Sequence, residues 1–104
     1  MNKTEELRDY LNLPDIKGNW DKMIQIRLAY KDKNPKAVPF MLDVKKDWEK
    51  MFEMRLAYQN GVSEAVPDMV KVKDDWDKMS EIRRAYKYKV PQAVPNMLKV
   101  KDDW

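Results

Sequence analysis

Four tryptophans divide this sequence at a constant spacing of 28 residues, at Trp20, Trp48, Trp76 and Trp104. The segments that begin at the first three tryptophans align without a gap and are named copies one, two and three. They read WDKMIQIRLAYKDKNPKAVPFMLDVKKD, WEKMFEMRLAYQNGVSEAVPDMVKVKDD and WDKMSEIRRAYKYKVPQAVPNMLKVKDD. A fixed period of roughly 20–50 residues is typical of proteins that stack one supersecondary unit on itself. The sequence therefore predicts an all-α single domain of tandem 28-residue helical repeats, stacked as a small solenoid.

The first residues differ from the copies and are predicted to cover the start of the array. Thr4 is a good N-cap with acids in the following turn, and apolar residues then recur at helical spacing. This pattern predicts a leading helix over 4–12, and residues 13–19 resemble a shortened second half of a copy. We therefore divide the chain into a capping helix with a degenerate half-repeat, 1–19, and three repeats, 20–104.

Each copy can contain either one long helix or two short ones. Apolar spacing allows a single helix of about twenty residues over 39–58. Two short helices instead return the chain to the same end in every unit, as stacking of near-identical copies requires. We therefore favour a helix A over 39–45 and a helix B over 47–59, with Asp47 or Asp75 as the N-cap of helix B. The segments that differ most between copies supply the predicted turns, near residues 31–36, 60–64 and 87–91.

A helical wheel of helix B predicts which residues form the core. The core is predicted to contain Trp48, Met51, Tyr58, Val66 and Met69. The opposite side of helix B is predicted to face water and carries Glu49, Lys50, Glu53 and Ala57.

One further edge of helix B changes character in copy three. Through the three copies it carries Ile24 and Leu28, then Phe52 and Leu56, then Ser80 and Arg84. Sequence drift at a surface that tolerates substitution would explain the change. A terminal repeat, however, also needs a polar outer face. We therefore expect this edge to form the contact between copies, with water-facing Ser80 and Arg84 capping the last copy of a monomer.

Composition removes most catalytic chemistry. The chain has no cysteine and no histidine, which excludes disulfides, thiolate nucleophiles, imidazole bases and most zinc sites. Its two glycines form no phosphate-binding loop, and its serines lack a histidine base. The sequence therefore predicts a protein that is not an enzyme and holds no metal or cofactor. It has no signal peptide and no apolar run of roughly 18 residues that could span a membrane, so we expect a cytoplasmic protein.

An arginine and a tyrosine recur together in every copy and are the candidate partner-binding residues. They are Arg27, Arg55, Arg83, Tyr30, Tyr58 and Tyr86. A buried guanidinium is costly unless it is paired. In a purely structural interpretation, the expected partners are the recurrent Asp47, Asp75 and Asp103. In the other interpretation the arginines and tyrosines form a row of ligands along a groove, since both residue types are typical interface anchors.

Two classes of function fit this pattern. The first is a protein-interaction module that presents the Arg/Tyr face and the variable turns to a partner protein. The alternative is a single-stranded nucleic-acid binder with one arginine, one aromatic residue and one lysine (Lys45, Lys73 or Lys101) per copy. The net charge of +3 is distributed as −1 over residues 1–19 and +3, −2 and +3 over copies one to three. Because an acidic middle copy would interrupt a track of phosphate contacts, the sequence favours a protein partner.

Overall fold

Residues 3–99 are described by the computed structural model of the chain, with side chains from residue 4 onward. Over this range the chain is all-α, as predicted, and none of its helices is long and apolar enough to cross a membrane. In chain order the α-helices are α1 (Lys3–Leu11), α2 (Trp20–Lys31), α3 (Val38–Leu42), α4 (Trp48–Gln59), α5 (Val66–Lys71), α6 (Trp76–Lys87) and α7 (Val94–Lys99). A short 3-10 segment precedes α3, α5 and α7, at Pro35–Ala37, Ser63–Ala65 and Pro91–Ala93.

The prediction of two short helices is confirmed, and the alternative of one long helix over 39–58 is wrong. The helix α3 ends at Leu42 and α4 begins at Trp48. Between them Asp47 adopts an extended backbone, with φ −134° and ψ 113°, which a continuous helix does not allow. The predicted turns lie where expected. They connect the three 12-residue helices α2, α4 and α6, called the long helices below, to the 3-10 segments that follow them.

The residue before each long helix caps it. Asn19, Asp47 and Asp75 accept hydrogen bonds from the backbone N–H groups of Lys22 (3.1 Å), Glu49 (2.8 Å) and Lys78 (3.3 Å). Each of these caps satisfies an N–H group that has no partner within the helix. The prediction of Asp47 and Asp75 as N-caps is therefore confirmed.

Each long helix ends in a Schellman motif with one residue in the left-handed region. That residue is Lys33 (φ 62°), Gly61 (φ 74°) or Lys89 (φ 63°). The following residue donates a backbone hydrogen bond of 2.8 Å to the carbonyl five positions earlier. Only the glycine adopts this conformation without a steric cost, which for a lysine is about 1 kcal/mol. The motif reverses the chain towards the next short helix in all three places.

The three 12-residue helices, α2, α4 and α6, pack side by side in that order. At one end, the indole N–H of Trp76 donates to the carbonyl of Glu49 (3.2 Å), which joins the first residue of α6 to the second of α4. Further along, Arg83 at the eighth position contacts Glu53 at the sixth. The two helices therefore run in the same direction. The shorter helices pack against the long ones, with α1 on α2, α3 on α4 and α5 on α6.

A continuous apolar core lies between the long and short helices. Its largest fully buried apolar side chains include Ile16, Ile26, Met41, Met51, Met54, Met69, Met79 and Ile82. The predicted burial of Met51, Val66 and Met69 is confirmed. Tyr58 is half-buried against this core. Trp48 does not lie in it, because 37% of its surface remains exposed.

The face of α4 that was predicted to contact water is also partly wrong. Glu49 is exposed and Lys50 half-buried, but Glu53 and Ala57 are almost fully buried. The reason is that α4 packs on α2 and on α6, so two opposite sides of one helix are covered. Glu53 tolerates burial because it pairs with Arg83 of α6. Ala57 is small, which allows neighbouring elements to approach closely.

The capping prediction for copy three is wrong. Arg84 is exposed as expected, but Ser80 is 2% exposed, and its hydroxyl has no hydrogen-bond partner among the described residues. Phe52 and Leu56, predicted to be buried, are only half-buried. The edge that carries these residues is therefore not the contact between the long helices, which instead involves Glu53 on one helix and Arg83 on the next.

Candidate functional site

Arg55 lies inside the molecule and is bound by residues of two helices. Its Nε donates to Gln25 Oε1 (2.9 Å), and its Nη1 donates to Gln59 Oε1 (2.9 Å) and lies 3.5 Å from Asp32 Oδ2. These four residues are called the Arg55 cluster. Burial lowers the pKa of the Arg55 guanidinium, and the nearby carboxylate of Asp32 opposes that shift. With 6% of its surface exposed, Arg55 is part of the scaffold.

Arg83 occupies the corresponding place between α4 and α6. Its Nε donates to Glu53 Oε1 at 2.6 Å, and its Nη1 donates to Asn60 Oδ1 at 3.0 Å. These three residues form the Arg83 cluster. Arg83 and Glu53 are 6% and 1% exposed, so this is a buried ion pair with both partners hydrogen-bonded. A short, charge-assisted contact of this kind is among the stronger hydrogen bonds in proteins.

The structural interpretation of the recurrent arginines named the wrong partners. Asp47 and Asp75 cap helices and are not bound to arginine, and Asp103 lies outside the described residues. Arg55 and Arg83 each contact residues that lie 30 and 23 positions earlier in the chain. The partners therefore belong to the preceding long helix and its C-terminal cap, because neighbouring long helices run in the same direction.

The three recurrent tyrosines are half-buried and make different contacts. Tyr30 donates its hydroxyl to Glu6 of α1, and burial together with this bond raises its pKa. Tyr86 donates to Asp68 Oδ2 at 2.7 Å; this bond, with burial, raises its pKa to about 12. Tyr58 stacks on Phe40 with ring centroids 6.3 Å apart. Burial raises its pKa as well.

Arg27 is the member of the predicted arginine row that lies on the surface. It is exposed and has no ion-pair or hydrogen-bond partner among the described residues. It lines an open cleft of about 440 Å³ between α1 and α2, named the N-terminal cleft. The other residues of this cleft are Thr4, Leu7, Arg8, Leu11, Asn12, Lys17 and Met23. The predicted binding row is therefore interrupted, because two of its arginines are internal and one faces solvent.

Two tryptophans form an exposed edge at the N-terminal end of the long helices. Trp20 is 69% exposed and Trp48 37% exposed, and each is the first residue of its helix. The two residues are named the tryptophan edge. The Trp48 ring lies 6.5 Å from the ring of Phe52, and the Arg55 guanidinium lies 5.2 Å from the centre of that ring. Trp48 is thus supported by neighbouring side chains while much of its surface contacts water.

A second, smaller cleft of about 250 Å³ brings four lysines together. Its lining includes Lys45, Lys46, Lys50 and Lys73, with Asp43 and Asp74 also present. Lys45 additionally forms an ion pair of 3.1 Å with Asp15. These four lysines are named the lysine cluster. The two lysines that the sequence assigned to a nucleic-acid track, Lys45 and Lys73, thus lie in one cleft, while Lys101 lies outside the described residues.

The comparisons with known proteins add no assignment. No family model, no curated protein and no solved structure matches this sequence. Within residues 3–99, no group of three or more acidic, histidine or cysteine side chains is placed to hold a metal ion.

The partners of the buried arginines could have been found from the aligned copies. Position six of the long helix is Gln25 in copy one and Glu53 in copy two, while the C-cap is Asp32 and then Asn60. The carboxylate and the amide exchange places between the copies. An exchange of this kind indicates two positions that serve the same charged neighbour, which is a stronger signal than the recurrence of an aspartate.

Proposed function

We propose that this chain is a tandem array of 28-residue two-helix units, stacked as a small solenoid, that works as a non-enzymatic protein-interaction module in the cytoplasm. The array is supported by the bounds of its elements, since the long helices begin at residues 20, 48 and 76. The 3-10 segments begin at residues 35, 63 and 91, which gives the same offset. The clusters around Arg55 and Arg83 connect neighbouring long helices of this array.

The observation that carries this proposal is the tryptophan edge. A tryptophan that is 69% exposed gains little from folding, and large aromatic side chains on a rigid surface are typical anchors of protein interfaces. Trp20 and Trp48 start neighbouring helices. The contacts of Arg55 with Gln25 and Asp32 have the same register as those of Arg83 with Glu53 and Asn60, so α2 and α4 also run in the same direction and both tryptophans lie at the same end of the array. In this proposal, Arg27 and the variable turns supply further contacts, whereas Arg55 and Arg83 support the scaffold.

The test compares the full chain with Trp20→Ala and with Tyr88→Ala as a matched control. Tyr88 is 67% exposed but lies at the opposite end of the long helices. Each immobilised protein is exposed to lysate of the source cell after nuclease treatment, and retained proteins are identified. We expect a partner that the parent and Tyr88→Ala retain and Trp20→Ala loses, at unchanged thermal stability. Identical capture by all three proteins would contradict the proposal.

The lysine cluster supports nucleic-acid binding as a second candidate function. Four lysines line one cleft and offer phosphate contacts, and two of them, Lys46 and Lys50, are two positions away in the sequence from the partly exposed Trp48, which offers a stacking surface. The burial of Arg55 and Arg83 opposes it, because those arginines cannot track a strand. Fluorescence anisotropy with a labelled oligothymidine at physiological salt separates the two functions. We expect weak binding, and a submicromolar Kd with a steep salt dependence would favour the nucleic-acid function.

A further inference from the structure

One side of α2 is uncovered, although the corresponding sides of α4 and α6 are covered. On α4 and α6 this side carries the fully buried Met51 and Met79 together with the buried arginines Arg55 and Arg83. On α2 the same positions are Met23, which is half-buried, and Arg27, which is exposed. The N-terminal cleft lies on this side of α2 and is lined by both residues. The cleft thus occupies the place where a preceding long helix packs in the other two copies.

The chain itself shows what fills this place when it is covered. The covering helix offers α6 a carboxylate at Glu53, a small residue at Ala57 and an amide at Asn60, which are spaced i, i+4 and i+7 and so share one face. It offers α4 the equivalent positions as Gln25, Ala29 and Asp32. Each covering face therefore contains one carboxylate, one amide and an alanine between them.

The lining of the N-terminal cleft complements an acidic helix. Its apolar lining residues are the half-buried Leu7, Leu11 and Met23, and its charged groups are Arg8, Lys17 and Arg27. No aspartate or glutamate belongs to the lining. An amphipathic helix that fills a groove typically places its apolar side on the floor and its charged groups at the rim.

We infer that the N-terminal cleft binds an amphipathic α-helix of another protein, which presents a carboxylate to Arg27 from the i or i+7 position of a face with a small residue at i+4. This inference adds a second surface to the proposed interaction module and does not depend on the tryptophan edge. The carboxylate of the bound helix would pair with Arg27 as Glu53 pairs with Arg83 and as Asp32 pairs with Arg55.

A second copy of this chain fits the cleft poorly. The corresponding face of α6 has Glu81 and Ala85 at the i and i+4 positions, but Glu81 already forms an ion pair of 3.3 Å with Arg84, and the bulky Tyr88 stands where the other two long helices are followed by Asp32 or Asn60. Ala85 is already buried within the chain, with only 8% of its surface exposed, so it offers little surface to a second copy. The same end of α6 carries Arg84 and Lys87, with Lys89 two residues after the helix, and these cations would approach the three cationic side chains of the cleft. Repulsion between like charges therefore opposes head-to-tail pairing.

The experiment measures binding of a helix-constrained peptide to the full chain by fluorescence anisotropy. The peptide has the sequence of residues 47–62, so it carries the face of α4 that covers Arg83. Met51→Lys and Arg55→Glu are joined by a lactam at the positions that face α2 in the chain, and circular dichroism verifies that the peptide is helical. The control peptide carries Glu53→Gln and therefore lacks the carboxylate that contacts Arg83 in the chain.

Three results are expected. The peptide binds the parent, Arg27→Gln weakens binding about tenfold or more, and the control peptide binds the parent about tenfold less tightly. The variant Arg84→Gln, which removes an exposed arginine far from the cleft, changes the affinity less than about twofold. Because Arg27 is exposed and unpaired among the described residues, its replacement leaves the fold intact, which thermal unfolding checks.

The inference is overturned if the parent binds no peptide at about 100 μM, or if Arg27→Gln or loss of the Glu53 carboxylate leaves the affinity unchanged. It is also overturned if the parent self-associates in sedimentation and Arg27→Gln abolishes that association, because the occupant is then a second copy. Failure of the peptide test leaves the tryptophan edge untouched. Conversely, unchanged partner capture by Trp20→Ala does not alter the expected peptide affinities.

Discussion

The Arg55 cluster and the Arg83 cluster each pair a buried guanidinium with one carboxylate, but the carboxylate occupies a different position in each. Each holds a guanidinium that is 6% exposed, and in each the Nε contacts a side chain 30 residues earlier. In the Arg55 cluster that side chain is the neutral Gln25, and the carboxylate is the partly exposed Asp32 at 3.5 Å. In the Arg83 cluster the carboxylate is the buried Glu53, and the more peripheral contact is the neutral Asn60.

The difference shows that the charge balance of the cluster is constrained more strongly than the place of the charge. One carboxylate accompanies each buried guanidinium in both clusters. A second carboxylate would leave an uncompensated negative charge, and none would leave an uncompensated positive charge, which is expensive in a poorly solvated site. The amide at the other position satisfies a guanidinium N–H without adding charge. We therefore expect the two arrangements to be interchangeable.

The largest expected effect comes from Glu53→Gln. This change leaves Arg83 buried without a carboxylate, and breaking a buried pair from one side typically costs about 3 kcal/mol or more. We expect the free energy of unfolding, measured by urea denaturation with circular dichroism, to fall by about 3 kcal/mol.

The double variant Glu53→Gln with Asn60→Asp transfers the arrangement of the Arg55 cluster to Arg83. It should recover more than about half of the lost stability. If Asn60→Asp instead adds a further loss to Glu53→Gln, the position of the carboxylate matters more than its presence, and the interchangeability of the clusters is refuted.

A smaller effect is expected from Asp32→Asn in the Arg55 cluster. The Asp32 side chain is 35% exposed and lies 3.5 Å from the guanidinium, so water already screens much of the interaction. We expect a loss of about 1 kcal/mol, with Asp43→Asn as the control for an exposed acid outside the cluster. A loss equal to that of Glu53→Gln would show that exposure does not distinguish the two clusters.

The tyrosines extend the comparison to the short helices. Tyr86 donates to Asp68, whereas Tyr58 stacks on Phe40 at the equivalent position. Tyr86→Phe should cost about 1 kcal/mol at neutral pH, and Tyr58→Phe less. The pKa of Tyr86 is raised to about 12, above its unfolded value, so its contribution is complete below pH 10 and is lost as the pH rises towards 12. The difference in stability between the parent and Tyr86→Phe should therefore shrink over that interval, and a difference that grows would contradict the assigned bond.

The smallest expected effect comes from Ser80→Ala. Ser80 of α6 is buried where α4 has Phe52, and its hydroxyl has no partner among the described residues. Removing an unsatisfied hydroxyl should leave stability unchanged or raise it by up to about 1 kcal/mol. Thermal denaturation followed by circular dichroism measures the change. Destabilisation would indicate that the hydroxyl is satisfied, for instance by water.

The helices and their breaks could be predicted from the sequence because the signals are local. Asp47 and Asp75 before the tryptophans and the variable segments after each long helix indicate where helices begin and end. These signals depend on neighbours a few residues away. The alternation of long and short helices therefore follows from the copies alone.

The packing faces of the helices were harder to predict than their boundaries, because a helical wheel was interpreted with only one buried side per helix. Glu53 and Ala57 were assigned to water, yet α4 is covered by neighbours on two sides. The prediction that the tryptophans are buried was wrong for a different reason. Their recurrence indicated a core role, but at the first position of a helix a side chain has few neighbours, and Trp20 remains 69% exposed. Whether the arginines and tyrosines bind a partner stays a prediction.

The order in which the long helices pack has a consequence for how the chain acquires its structure. The contacts that join α2 to α4 and α4 to α6 connect residues about one copy apart, with separations of 23 to 30 positions. Short loops close at little entropic cost, and helical chains dominated by such contacts typically refold in microseconds to milliseconds. We expect refolding from urea to be fast in stopped-flow fluorescence, and no step needs the first helix to find the last.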